Sequence, residues 1–219
     1  MFSAPILLPF SPSAGLTTPI LLPRGGRPIR TATSREVSDL VRRGEATLGL
    51  RYFADPSPEI VSETVDEEAL VVVCSSEHRL AARRVHEPRA LAGERWVAFP
   101  VPRESPGESY ARILERQLGA AGLEGAEIIP IDSLTAQKRL VEAGFGLALV
   151  PESSIQEELR LGTMRVLDIP EVRTAVPVTV VYRRKGYLSA AARALLSVLR
   201  SRPLQGKARR QGPRNRRNL

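Results

Sequence analysis

The sequence predicts an α/β protein, in which short strands alternate with helices of about ten residues. Apolar residues make up 42% and charged residues 26% of the 219 residues, as in a folded globular protein. The run Ala69–Cys74 (ALVVVC) is rich in β-branched residues, which is typical of a strand buried on both faces of a parallel sheet. Helical periodicity follows most strands, so the pattern favours βαβ units and a mostly parallel sheet.

The elements follow in order from residue 32. Thr33 or Ser34 is predicted to cap a first helix that ends at Gly44. Strands are predicted over 47–52, 69–74, 96–99, 126–131, 147–150, 164–169 and 177–182. Further helices are predicted over 108–121, 134–143, 153–159 and 190–200. Residues 1–30 are rich in Pro and Gly without periodicity, so no element is predicted there.

The net charge of +8 is concentrated at the C-terminus. Residues 200–219 hold eight basic and no acidic residues, and the remaining 24 basic residues balance the 24 acidic ones. Residues 203–219 are predicted to form a solvated, disordered tail. The alternative is that the tail contacts phosphates of DNA, RNA or lipid. The arginines that would make these contacts are Arg209, Arg210, Arg214, Arg216 and Arg217.

Cysteine usage and hydropathy predict a cytoplasmic protein. Cys74 is the only cysteine, so no disulfide forms within the chain, which suits a reducing compartment. No apolar run reaches the roughly 18 residues that a membrane span needs. Pro5 and Pro9 interrupt the apolar N-terminus, which has no basic region before it and makes a poor signal peptide.

Motifs that carry catalysis are not found. The sequence contains no GxSxG, HExxH or P-loop pattern. His78 and His86 are eight residues apart, which puts no ligand pair on one helical turn. Gly144 and Gly146 precede a strand, so we interpret them as a helix end and a tight turn and not as a dinucleotide fingerprint. We therefore predict no catalytic residue, metal ligand or cofactor, and a protein that is not an enzyme.

The candidate binding groups are hydroxyls and amides where helices begin. Helix N-termini present unpaired N–H groups and a partial positive charge, which suit carboxylates and other anions. In an open α/β sheet these positions fall at the ends of strands where ligands bind. For any one residue, plain N-capping is the alternative role. The candidate ligand-binding residues are Thr33, Ser34, Ser105, Gly107, Ser133 and Thr135.

Several segments, in this order, resemble the effector-binding domain of LysR-type transcriptional regulators. They are TSREVSDLVRRGE from Thr33, EEALVVVCSSEHRLA over 67–81, LAGERWVAF over 91–99, SLTAQKRLVEAGFGLALVPES over 133–153, and VTVVYRR with LSAAARALLSVL near the end. The resemblance implies two Rossmann-like lobes joined by a hinge, as in type 2 periplasmic binding proteins. It places residues 31–73 and 176–202 in lobe I and residues 74–175 in lobe II. The chain would cross between lobes near Leu70–Val73 and Val176–Thr179.

The resemblance also implies a role. Family members bind small effectors, often carboxylates or aromatic acids, between the lobes, and pair as homodimers. Thr33 occupies the position of a ligand-contacting hydroxyl, Ser105–Gly107 and Ser133–Thr135 would contribute from lobe II, and Ser11 or Ser13 would follow the first strand.

The chain departs from the family pattern at three places. The family's winged helix-turn-helix is expected to be missing, as in a truncated or frameshifted gene, so DNA would be a partner only indirectly or through the tail. Residues 1–30 would be a remnant of the first strand and helix. Thr47 stands where the family commonly has Asp.

Two other functions remain open from the sequence. The first is a solute-binding protein of a transport system, which would have to be exported. The second is a nucleic-acid-binding protein that acts through the basic tail. The few aromatic residues, 5% of the chain, speak against a surface that stacks bases.

Overall fold

The computed structural model describes residues 6–8, 29–82, 86–101 and 109–201. Its strands are β1 Ile6–Leu8, β2 Ile29–Thr31, β3 Leu48–Tyr52, β4 Ile60–Ser75, β5 Trp96–Ala98, β6 Ile128–Pro130, β7 Ala148–Pro151, β8 Met164–Leu167 and β9 Thr174–Arg183. Its α-helices are α1 Ser34–Arg43, α2 Tyr110–Ala120, α3 Leu134–Glu142, α4 Gln156–Leu161 and α5 Ala190–Ser201. Short 3-10 turns cover Pro88–Leu91 and Glu152–Ile155.

Strands of both directions share one sheet. The main sheet has seven strands. Six of them pair in the order β2-β1-β3-β9-β4-β7, and the seventh, β8, pairs with β4. β1 is parallel to β2 and β3, whereas β9 is antiparallel to β3 and β4. β5 and β6 form a parallel pair, and a parallel bridge from Trp96 to Leu147 links that pair to the start of β7. The seven-stranded sheet is therefore mixed, with its parallel strands β2, β1 and β3 at one end.

The strand β4 corrects part of the sequence prediction. The β-branched run predicted burial on both faces, and every residue from Leu70 to Ser75 is buried. The direction was wrong, because β4 is antiparallel to β7, β8 and β9. β4 also begins at Ile60, earlier than predicted, because its polar first half pairs with β9 and is only partly buried. Such a run reports how deeply a strand is buried and carries no information on the direction of its neighbours.

Apolar clusters on both faces of the sheet divide the molecule into two lobes. In one lobe, Leu70 and Val72 pack with α2 on one face, and Val71 and Val73 pack with α3 on the other. In the other lobe, separate clusters form beneath α1 and beneath α5. We call the lobe of α1 and α5 the first lobe and that of α2, α3 and α4 the second lobe. The residue numbers assigned to the lobe boundaries stay a prediction.

Most predicted helix boundaries are confirmed. Thr33 is the N-cap of α1, and Gly44 ends that helix in the left-handed conformation with φ 77°. Ser133 caps α3, and the Ser189 hydroxyl accepts the Ala192 N–H at the start of α5. The short strand β1 lies within residues 1–30, where no element was predicted, and β2 begins there and ends at Thr31.

Several predicted features lie outside the described residues. They are Ser11, Ser13, Ser105, Gly107 and residues 202–219, which hold the basic tail. Among the described residues, no helix is long and apolar enough to cross a membrane.

Candidate functional site

The start of α1 is closed by a capping box. The Thr33 N–H and hydroxyl both donate to Glu36 Oε2, at 2.8 and 2.9 Å, and the Glu36 N–H donates to Thr33 Oγ1 at 3.4 Å. The hydrogen bonds from the Thr33 backbone and then its hydroxyl lower the pKa of Glu36. A carboxylate therefore already occupies the positive end of α1.

The first turn of α1 is also tied to the end of β3. The Ser34 hydroxyl accepts the N–H of Tyr52 at 3.3 Å. Tyr52 is the last residue of β3, so the hydrogen bond to the candidate residue Ser34 holds the backbone of Tyr52 against the start of α1. A ligand that displaced Ser34 would disturb this aromatic residue directly.

The start of α3 is capped by a hydroxyl alone. Ser133 Oγ accepts the Ala136 N–H at 3.3 Å, and no acidic residue lies in the first turn. The side chain of Thr135 is exposed one position into the helix. In contrast to α1, the positive end of α3 is not neutralised by a carboxylate of its own first turn.

Buried polar contacts hold α3 in place behind its cap. Gln137 Nε2 donates to the carbonyl of Val97 at 2.7 Å, which anchors the helix to β5. Lys138 Nζ lies 2.7 Å from Glu158 Oε1 and donates to the Ser154 carbonyl at 2.8 Å. The exposed side-chain fractions of Lys138 and Glu158 are 10% and 4%. These contacts fix the helix start relative to the strand ends beside it.

Aromatic rings from the two lobes meet. Tyr52 of the first lobe stacks on Tyr110 of the second, with ring centroids 5.4 Å apart and 22° between the planes. Phe99, which follows β5, meets the Tyr110 ring edge-on at 5.6 Å. The Tyr110 hydroxyl donates to the Leu149 carbonyl at 3.1 Å. Burial raises the pKa of both tyrosines, so the phenols stay neutral.

Sequence reasoning missed these three aromatic residues. The available signal was their position, because Tyr52 ends a predicted strand, Phe99 ends another, and Tyr110 begins a predicted helix. Only hydroxyls and a glycine near helix starts were predicted as candidate binding groups from such positions. Aromatic side chains at strand ends are equally common in ligand sites, which are mostly apolar.

A buried carboxylate lies close to the ring pair. Glu68 of β4 is 6% exposed, and its Oε1 accepts the Ser153 N–H at 3.4 Å. After burial, the charge of Glu68 is a further cause that raises the pKa of Tyr52. The contact between the lobes therefore combines aromatic surface with a carboxylate on the strand β4, which runs from one lobe to the other.

Metal chemistry finds no support in the described part of the chain, where no three His, Cys, Asp or Glu residues group together. His78 Nε2 lies 3.2 Å from Glu94 Oε2 and its Nδ1 accepts the Leu80 N–H at 3.3 Å, so both ring nitrogens are used. Burial, followed by the charge of Glu94, raises the pKa of the Cys74 thiol to about 11.

Of the predicted site residues, Thr33 and Ser34 lie together at the start of α1, and Ser133 and Thr135 lie together at the start of α3. Residues 28–203 match the LysR substrate binding domain family. The chain belongs to this family. The resemblance seen in the sequence is thereby confirmed.

Two curated relatives match most of this LysR substrate binding domain with part of their own length. The chain is 31% identical over 173 residues to the phosphonates import ATP-binding protein PhnC of Anaeromyxobacter dehalogenans, covering 77% of this chain and 33% of that protein. It is 26% identical over 149 residues to the transcriptional regulator CysL of Bacillus subtilis, covering 68% of this chain and 48% of the regulator. The chain thus spans a third to a half of these relatives.

Solved structures show the same fold for the LysR substrate binding domain. The regulatory domain of CcmR from Synechocystis PCC6803 in complex with 2-PG has a TM-score of 0.75 at 14% identity, over 91% of this chain and 96% of that one. The effector binding domain of BenM with its effector benzoate has a TM-score of 0.67 at 20% identity, over 91% and 92% of the two chains. These similarities confirm the two-lobed fold predicted from the sequence.

Proposed function

We propose that this chain is the effector-sensing domain of a LysR-type transcriptional regulator and binds a small organic anion between its lobes. The observation that carries the proposal is the start of α3. The first turn that follows the Ser133 cap contains no acidic residue, although Asp132 precedes the cap, and buried contacts of Gln137 and Lys138 hold the helix in place. Such a helix start stabilises a carboxylate, whereas Glu36 already fills that role on α1.

The aromatic residues suggest what accompanies the carboxylate. Tyr52, Phe99 and Tyr110 offer apolar surface beside the strand ends, and ligand pockets are mostly apolar with a few placed polar groups. BenM binds benzoate, which joins a ring and a carboxylate, and this supports an aromatic or otherwise apolar acid as the first class to test. Of the sequence candidates, Ser133 and Thr135 would contact the acid, and Thr33 and Ser34 would contact the rest of the ligand.

Sensing would proceed through a change in how the two lobes pack. β4 and β9 pair along ten positions and run from one lobe into the other, so a rotation about them moves the lobes relative to each other. The Tyr52–Tyr110 stack would then separate or tighten. A ligand shifts this equilibrium only by its difference in affinity for the two arrangements.

The remaining features of the proposal follow from family membership. The domain would work in the cytoplasm without catalysis, as a homodimer or higher homo-oligomer, and reach DNA through another part of a regulator. The family match does not favour the solute-binding alternative or a protein whose main function is nucleic-acid binding by its tail.

Isothermal titration of the whole chain with a panel of small carboxylates, including benzoate, tests the proposal. We expect at least one acid to bind, and Ser133→Ala to weaken it about five- to tenfold through loss of one hydrogen bond to a charged group. Ser189→Ala is the matched control, since Ser189 caps α5 with its hydroxyl in the same way and is not among the proposed ligand contacts, so it should leave the affinity unchanged. If a folded sample binds none of the acids, the proposal is wrong.

A further inference from the structure

The turn between β9 and α5 concentrates positive charge. Arg183, Arg184 and Lys185 are consecutive, and all three side chains are exposed. The Gly186 N–H donates to the Arg183 carbonyl at 3.0 Å, which closes a tight turn. The guanidinium of Arg193, in the first turn of α5, donates to the Leu188 carbonyl and so lies over the same loop. Four cationic groups therefore cluster at one corner of the first lobe.

These cations differ from most other arginines in the described part of the chain. Eight arginines there pair with carboxylates within 4 Å: Arg42, Arg43, Arg51, Arg79, Arg89, Arg139, Arg173 and Arg200. Within the described residues, the four cations of the cluster have no carboxylate partner at that distance. Arg184 Nε donates instead to the Pro58 carbonyl at 2.9 Å, which leaves its charge uncompensated.

The surroundings of the cluster are also free of negative charge along the chain. No Asp or Glu follows Glu171 in the sequence, so α5 and everything after it are basic or neutral. Tyr187 stands beside the cluster with 76% of its surface exposed, more than any other large apolar residue described. The four positive charges repel each other, so a polyanion that binds there lowers this electrostatic repulsion.

We propose that this cluster of Arg183, Arg184, Lys185 and Arg193 is a contact surface for the phosphate backbone of duplex DNA. Three of its four cations are arginines, whose guanidinium groups match phosphate oxygens. Contacts of this kind to phosphate oxygens position a protein on the duplex and carry no sequence information. The surface lies on the first lobe, away from the aromatic contact between the lobes. It adds a second partner to this chain and does not depend on effector binding.

Fluorescence anisotropy with a labelled duplex of arbitrary sequence, followed over a range of salt concentrations, tests this surface. We would compare the full chain with Arg183→Gln/Lys185→Gln, whose side chains make no hydrogen bond to other described residues. The matched control is Arg95→Gln/Arg160→Gln, which removes the same charge from exposed sites on the second lobe. Circular dichroism and thermal unfolding verify that each variant folds.

The cluster variant should bind roughly tenfold more weakly at low salt, with a slope of log K against log salt smaller by about 1.8, or about 0.9 for each lost phosphate contact. The control should keep the slope of the unaltered chain. Equal behaviour of both variants overturns the proposal, as does complete loss of DNA binding when residues 202–219 alone are deleted. Binding to polyglutamate that equals binding to DNA and falls equally in the cluster variant would assign the surface to acidic proteins and also overturn it.

Discussion

The helices α1 of the first lobe and α3 of the second lobe are both capped by a hydroxyl, but their first turns differ in charge. Both start with a hydroxyl that accepts a backbone N–H from the first turn. In α1 the Glu36 carboxylate completes the box, whereas α3 has no acidic residue in its first turn. Hydroxyls at helix starts therefore look alike in sequence. Whether such a start can still attract an anion depends on whether an acidic residue lies in the first turn of the helix.

The lobes also differ in how these helices are anchored. In the first lobe, Arg51 Nη1 of β3 bonds both Asp55 Oδ2, at 2.5 Å, and Ser38 Oγ of α1, at 2.7 Å. In the second lobe, Lys138 of α3 itself reaches Glu158. Asp55 keeps a further hydrogen bond from the Ser57 N–H, whereas Glu158 Oε2 has no hydrogen-bond partner among the residues that the structure describes. The anchoring of α3 in the second lobe therefore depends more heavily on Lys138 than the anchoring of α1 depends on Arg51.

The largest effect should come from removing these cations. We expect Lys138→Met to lower the free energy of unfolding by about 3–5 kcal/mol, because it leaves the buried Glu158 unpaired. Arg51→Met should cost less, about 2–3 kcal/mol, since Asp55 keeps its bond from Ser57. Urea unfolding measures both. The double variant Lys138→Met/Glu158→Leu should recover most of the loss. If Lys138→Met costs no more than Arg51→Met, the difference between the anchors is not real.

The next effect comes from one glycine in each lobe at which another group approaches closely. A Cβ on Gly146 would lie 2.4 Å from the Arg95 carbonyl oxygen, and a Cβ on Gly49 would lie 2.4 Å from Val37 Cγ1. Each Gly→Ala change should cost about 1–3 kcal/mol, with Gly146→Ala the more severe because backbone yields less than a side chain.

Thermal unfolding of double variants tests whether a second substitution restores the stability lost at each glycine. Val37→Ala removes the clashing methyl, so Gly49→Ala/Val37→Ala should lose less than the sum of the two single changes. Arg95→Ala should give Gly146→Ala no comparable relief, because the close atom belongs to the backbone. Strict additivity at Gly49 would show that the contact with Val37 is not the cause.

Removing the two caps should have a smaller effect. Thr33→Ala and Ser133→Ala should each cost about 1 kcal/mol or less, with Thr33→Ala the larger because it breaks both halves of the capping box. Hydrogen exchange of the Glu36 and Ala136 amides reports each helix start separately. A loss of protection at both starts in either single variant would mean that the two caps are not independent.

The smallest effect concerns acid. The pKa of Glu36 is lowered in the folded state, so its stabilisation is present above the ordinary glutamate pKa of 4.5 and is lost as pH falls through the lower folded pKa. Protection of the α1 start should therefore decline below about pH 4.5, whereas the α3 start should change little. Glu36→Gln should remove this difference, and an identical decline in that variant would contradict the role of Glu36.

The sequence by itself determined most of the local structure. Thr33, Gly44, Ser133 and Ser189 bound helices where the pattern predicted, because caps and left-handed turns depend on neighbouring residues only. The order of its segments also identified the family, and with it the two-lobed fold. The hydrophobic run of β4 predicted burial correctly for Leu70–Cys74, since residues covered on both sides must be apolar, while Ala69 at its start is only partly buried.

Only the tertiary structure decided what depends on distant neighbours. The antiparallel pairing of β4 with β7, β8 and β9 joins residues up to 123 positions apart, and side-chain types carry no information on strand direction. The stacking of Tyr52 on Tyr110 joins residues whose local sequence marks them only as ends of elements. That no described carboxylate lies within 4 Å of the charged groups of Arg183, Arg184 and Lys185 is likewise a property of the folded surface, because charge compensation acts through space.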